Sequence, residues 1–161
     1  MLRTHPLNRW HELTGIVRCQ QFQLAKNSLP KGAPKQAYHQ FGELRSYSDT
    51  PKAPLPVGEE QARRLVHGYH AAVSYTDAQV GKILKHLDGL GLTENTIIIL
   101  MGDHGYALGE HGLWCKHSTF DVATKTPLII RAPNMPANQT VEGLVEFIDI
   151  FPTLTDLAGI D

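Results

Sequence analysis

The run Thr96-Ile97-Ile98-Ile99-Leu100-Met101, followed at once by Gly102-Asp103-His104-Gly105, decides the fold class. The run is short, β-branched and apolar, bounded by Asn95 and Gly102, with no polar residue alternating through it. That pattern predicts a strand covered on both faces, as in the parallel sheet of an α/β protein. Pro127-Leu128-Ile129-Ile130-Arg131 predicts a neighbouring strand. Upstream, no proline interrupts Glu59 to Leu90, and apolar positions from Ala62, Leu65, Val66 and Tyr69 through Leu87 advance by threes and fours. This predicts one long amphipathic helix with a buried stripe. Glu59 and Glu60 near its start and Lys85 and His86 near its end suit the helix dipole, and Gly89 and Gly91 supply the stop. Val145 to Ala158 reads as a final helix with its core at Asp149 to Leu157, where Pro152 is tolerable in a first turn. Helix, strand, polar loop, strand, helix is an α/β order.

Residues 1–57 read differently. Pro30, Pro34, Pro51, Pro54 and Pro56 break any long period, leaving room for short turns near Trp10 to Leu13 and Gln36 to Leu44. So long an irregular stretch is unusual inside a compact domain. It suggests a loop-rich region packed on a larger body.

Composition narrows the function classes. With 15 basic and 16 acidic side chains the formal net charge is −1, which gives no support for nucleic-acid binding. The longest apolar run falls far short of the ~20 residues that cross a bilayer, so no membrane span is expected. Met1 to Pro6 shows neither an apolar core nor a small-residue cleavage site, so no secretory signal is visible. Cys19 and Cys115 are too few and too far apart to form a disulfide framework.

The chemistry gathers in the loop that leaves the first strand, Met101 through His117. Ligands in open α/β sheets bind beyond the carboxyl ends of strands. Asp103 and His104 stand at such an end, and Gly102, Gly105, Gly109 and Gly112 permit close backbone approach. Asp103 offers hard oxygen, suited to calcium or magnesium, while the nitrogen of His104 suits zinc better. Lys116 supplies the compact positive charge that a sulfate or phosphate oxygen needs. Residues of these types suggest a metal plus an anionic substrate. The bland alternative is that Asp103 caps a turn and the histidines are surface residues.

The wording of this loop resembles a known family. Gly102-Asp103-His104-Gly105, Leu108-Gly109-Glu110-His111-Gly112 and Trp114-Cys115-Lys116-His117 are similar to the sulfatases of the alkaline-phosphatase superfamily, above all to their iduronate-2-sulfatase-like branch. The likeness continues through Phe120 to Thr124, Thr126 to Ile130 and Asp149 to Leu154, and includes Tyr75 to Gly81 on the long helix. It covers roughly residues 60–161, in the family's order. The resemblance implies a partial alkaline-phosphatase/sulfatase-like domain: residues 1–57 a loop-rich segment, 58–161 the metal-site half. It implies hydrolysis of a sulfate ester, carried by a sulfated glycan or an aryl group. It implies a divalent metal, most often calcium, held in part by Asp103 and His104. Lys116 is then the catalytic and sulfate-contacting lysine, with His117 beside it on the substrate. Relatives of this kind are usually exported or lysosomal.

Departures from the family pattern matter equally. Its nucleophile is a formylglycine made within Cys/Ser-x-Pro-x-Arg, and neither Cys19, Cys115 nor any serine has that context. The paired aspartates that open the family's metal site are absent, and Arg3-Thr4-His5-Pro6-Leu7 is at most a degraded echo of its active-site histidine segment. The expectation is therefore a sulfatase fragment inactive alone, with the missing N-terminal half of the domain as its partner. The alternatives are a metal-dependent phosphoesterase or phosphonate hydrolase of the same superfamily, and a non-catalytic remnant that binds sulfated glycans. Glu110 is expected to hold the loop, Cys115 to be a packed thiol, and His67, His70 and His86 to serve the helix.

Overall fold

The computed structural model describes residues 24–25, 30–37, 42–52 and 55–160. The turn expected near Trp10, the segment around His5, and Cys19 lie outside the described residues. The elements follow the order α1 (Gly42–Arg45), α2 (Glu59–Gly89), β1 (Ile98–Met101), β2 (Ala107–Leu108), β3 (Trp114–Cys115), α3 (Asp121–Thr124), β4 (Leu128–Arg131) and α4 (Ile150–Leu157), with short 3-10 turns between them. Helices and strands mix as the α/β reading requires. The chain divides into two compact units: Asp77–Leu100 with residues 128–160, and residues 24–76 with Met101–Pro127.

In the first unit β1 and β4 pair as neighbouring strands. Arg131, at the end of β4, reaches the carbonyl of Thr93 and, at 2.7 Å, the carboxylate of Glu94. The helix stop is set by Gly91 rather than Gly89, which stays helical. Gly91 has φ 68°, its N–H donates to the Asp88 carbonyl, and the Leu92 N–H reaches back to Leu87. That is the paired bonding of a left-handed C-terminal cap, which glycine adopts without a Cβ clash. The 3-10 turn Phe147–Asp149 that leads into α4 is capped by Glu146 and Asp149, each side chain accepting from the other's backbone N–H.

Two expectations about burial are corrected. The strand expected to be covered on both faces is only half-buried, and Met101 at its end is 45% exposed. Likewise the stripe of α2 is fully buried only at Ala62 and Val66, while Ile83 is 68% exposed. The cause is simple: among the described residues the sheet has two strands, so its apolar faces find little of this chain to pack against.

The second unit holds the packed core. Leu44, Ala62, Val66, Trp114 and Cys115 are buried together, with Leu65, Tyr106 and Leu108 against them. β2 and β3 run antiparallel, Ala107 opposite Cys115 and Leu108 opposite Trp114. Gly109 opens the connecting turn at φ 106°, and its N–H donates to the Leu113 carbonyl at 2.8 Å. The Trp114 ring lies 3.3 Å from where a Cβ of residue 109 would stand, so both conformation and space call for glycine there. Core and hairpin together give the following residues, Lys116 and His117, a fixed point of departure.

Candidate metal and anion site

The loop after β1 is pinned by backbone contacts before any side chain acts. The Gly102 N–H donates to the Pro127 carbonyl at 3.1 Å and the Gly105 N–H to Ala123 at 2.8 Å. A Cβ at residue 105 would lie 2.0 Å from the Val122 carbonyl oxygen, so α3 approaches as closely as only glycine allows. Between these two anchors sit Asp103 and His104.

Asp103 projects to solvent, its side chain 83% exposed, with Oδ2 3.6 Å from the Nε2 of His104. The other ring nitrogen of His104 lies 2.8 Å from the Gly105 carbonyl. A carbonyl only accepts, so Nδ1 carries the proton, and in the neutral ring Nε2 presents its lone pair. A hydrogen bond of this kind is the sort that orients histidines where they do bind a metal. Ligands about 2.4 Å from a calcium ion on adjacent vertices lie roughly 3.4 Å apart, so the carboxylate and imidazole fit two neighbouring positions around one cation. Among the described residues no group of three or more His, Cys, Asp or Glu side chains is placed to hold a metal. Asp103 and His104 therefore stand as a pair among the described residues.

Farther along, the Glu110 carboxylate accepts from the Leu108 N–H at 2.6 Å, the loop-holding contact expected of it. His111, at φ 56°, places its ring 4.9 Å from that of Phe120. Cys115 is buried and itself adopts φ 67°. Its thiol accepts a hydrogen bond from the Tyr106 hydroxyl at 3.2 Å, and burial pushes its pKa up from the ordinary value. Burial, aided by the Cys115 and Tyr47 hydrogen bonds, also raises that of Tyr106. The Tyr106 ring stacks on Tyr69 of α2, centroids 5.2 Å apart. A protonated, enclosed thiol is a packing group, as the sequence suggested.

Successive side chains of an extended chain point to opposite faces, yet Lys116 and His117 meet the same acceptor. The Lys116 Nζ lies 3.3 Å from Glu43 Oε1 and the His117 Nε2 3.1 Å from Glu43 Oε2. The positive φ of Cys115 and a tight bond from the Ser118 N–H to the Lys116 carbonyl turn the backbone enough to permit this. Asp103 with His104, and Lys116 with His117 through Glu43, are therefore two pairs; no described hydrogen bond or ion pair joins one to the other. Glu43 is the residue that the sequence did not reveal. It lies in a proline-broken stretch without period or motif, and only folding brings α1 to β3.

Comparison with known proteins bears on this geometry. The family model described as Sulfatase matches residues 25–160. Iduronate 2-sulfatase of Mus musculus is 38% identical over 164 aligned residues, covering 82% of this chain and 29% of its own length. Among solved structures, the phosphonate monoester hydrolase of Silicibacter pomeroyi superposes with a TM-score of 0.72 at 27% identity, over 99% of this chain and 33% of that one. A protein solved in complex with its substrate, D-glucosamine-2-N,6-O-disulfate, matches 63% of this chain at 33% identity and a TM-score of 0.60, over 21% of its own chain. The chain thus spans about a third or less of the proteins that it resembles. Within that span, the helices and strands described above are part of the same α/β domain.

Proposed function

The chain belongs to the sulfatase family, and from that premise we propose that it supplies metal and sulfate contacts to a sulfate-ester hydrolase. Asp103 and His104 would hold a divalent cation, calcium foremost, together with donors from outside these residues. Lys116 contacts a sulfate oxygen, and His117 stands beside it. A divalent cation held there would supply positive charge toward the ester oxygens. Lys116 donates hydrogen bonds to the same group and offsets negative charge that builds on the leaving oxygen, a contribution of about 3 kcal/mol per donor in comparable sites. The sequence contains no Cys/Ser-x-Pro-x-Arg, so the formylglycine nucleophile is supplied by polypeptide outside the 161 residues. On this reading the chain alone binds the ester and does not turn it over, and it works together with the remainder of a sulfatase domain.

The observation that carries the metal assignment is the His104 ring, held through Nδ1 by the Gly105 carbonyl with Nε2 3.6 Å from the Asp103 carboxylate. A sulfated sugar as substrate is supported by the relative solved with D-glucosamine-2-N,6-O-disulfate. Calcium titration of the full chain, followed by amide shifts of Gly102 to Gly105, tests the assignment. Weak, millimolar binding is expected from so few protein ligands, abolished by Asp103→Asn. Calcium shifts unchanged in Asp103→Asn would refute it.

A second reading has one observation in its favour, the superposition on a phosphonate monoester hydrolase. In that case the same cation and lysine hold a phosphonate ester.

A further inference from the structure

Of the groups around Lys116, Glu43 has no role in the assignments above. Its carboxylate is three-quarters buried, at 26% exposure, and Oε2 is closed off from solvent. It is also fixed in place. Leu44, the next residue, is 1% exposed and packs in the cluster that contains Cys115, the residue before Lys116. An anion that reaches the Lys116 ammonium therefore meets a stationary negative charge 3.3 Å from that ammonium.

We propose that Glu43 is a specificity determinant that shifts this site's preference toward singly charged oxyanion esters and away from doubly charged ones; it rests on, and deepens, the assignment of Lys116 as an ester contact. A sulfate monoester carries one negative charge at neutral pH. A phosphate monoester, with a second pKa of about 6, carries nearly two. The two groups are both tetrahedral and of similar size, so hydrogen bonds from one lysine do not separate them. Charge does. Attraction to an isolated ammonium grows with the charge of the ligand, which favours the dianion. Repulsion from a carboxylate grows in the same proportion. Placed beside the ammonium and partly shielded from water, where screening is reduced, Glu43 cancels that advantage of the dianion. Selectivity then comes from an unfavourable contact with the wrong ligand, a common device in recognition.

The test uses the full chain at pH 8, titrated with phenyl sulfate and phenyl phosphate and followed by side-chain and amide resonances around Lys116. Wild type, Glu43→Gln, Glu43→Asp and Lys116→Ala are compared, each first checked for an unchanged amide spectrum away from the site. Glu43→Gln is expected to lower the ratio of sulfate to phosphate affinity by about fivefold, the size of a partly exposed charge contact. Glu43→Asp keeps the charge and should hold the wild-type ratio. An unchanged ratio in Glu43→Gln, or an equal fall in Glu43→Asp, overturns the role of Glu43 while leaving Lys116 as the contact, provided Lys116→Ala weakens both esters. If Lys116→Ala leaves both titrations intact, or the wild type binds neither ester, the assignment of Lys116 and the role of Glu43 fall together.

Discussion

At the scale of single residues, the loop from Gly102 to His117 separates into groups that face solvent and groups that do not. Asp103 is exposed and available to a cation, whereas Cys115 is enclosed by Tyr106, Leu44 and Trp114. Enclosure has a consequence for stability at high pH. The folded state holds the Cys115 proton more tightly than the unfolded chain does, because burial disfavours the thiolate. Its contribution is therefore complete below the ordinary thiol value of 9.0 and is lost as pH rises above it. Urea unfolding between pH 8 and 10.5 is expected to show stability falling from about pH 9 upward, more steeply in wild type than in Cys115→Ala. Equal slopes in the two proteins would count against a buried, protonated thiol. Asp103, His104, Lys116 and His117 were singled out as candidates from the sequence, by short-range motif order. Glu43 was not, because its partnership depends on a contact between α1 and β3, distant in the chain.

At the scale of elements, the legible features are those with a local cause. The long helix α2 and the strands β1 and β4 follow from proline-free period and from β-branched runs, and the end of α2 from the cap at Gly91. The short hairpin β2–β3 carries no such period. It exists because Ala107 and Cys115 pair within a core that α1 and α2 complete. The contact between the Gly105 turn and α3 is equally non-local, and it sets where Asp103 and His104 stand. Gly105→Ala is expected to destabilise the chain by at least ~2 kcal/mol, since a Cβ there meets backbone that cannot swing away. For a chain of this size that is a fall in Tm of about 5 °C or more. A melting point within a degree of wild type would show that α3 does not lie so close.

At the scale of the whole molecule, apolar surface outweighs what the described residues cover. Ile83 on α2 and Ile148 and Phe151 near α4 are large and exposed. Exposed apolar surface and unpaired strand edges are sites of association. The isolated chain is expected to self-associate increasingly as its concentration rises, as seen by sedimentation. A monomer at every concentration would contradict this. The relatives that it resembles are about three times its length, so the same surfaces stand within larger domains there. By itself the sequence determined the α/β order, the helix and strand positions, the family and the set of chemical groups on the loop. All of these reside in period, local conformational preference and motif order along the chain. The tertiary structure added that the helix stripe and strand faces remain open. It alone brought a buried carboxylate against Lys116 and His117. Those facts depend on which distant segments come within a few ångströms of one another, and no periodicity along the chain encodes such distances.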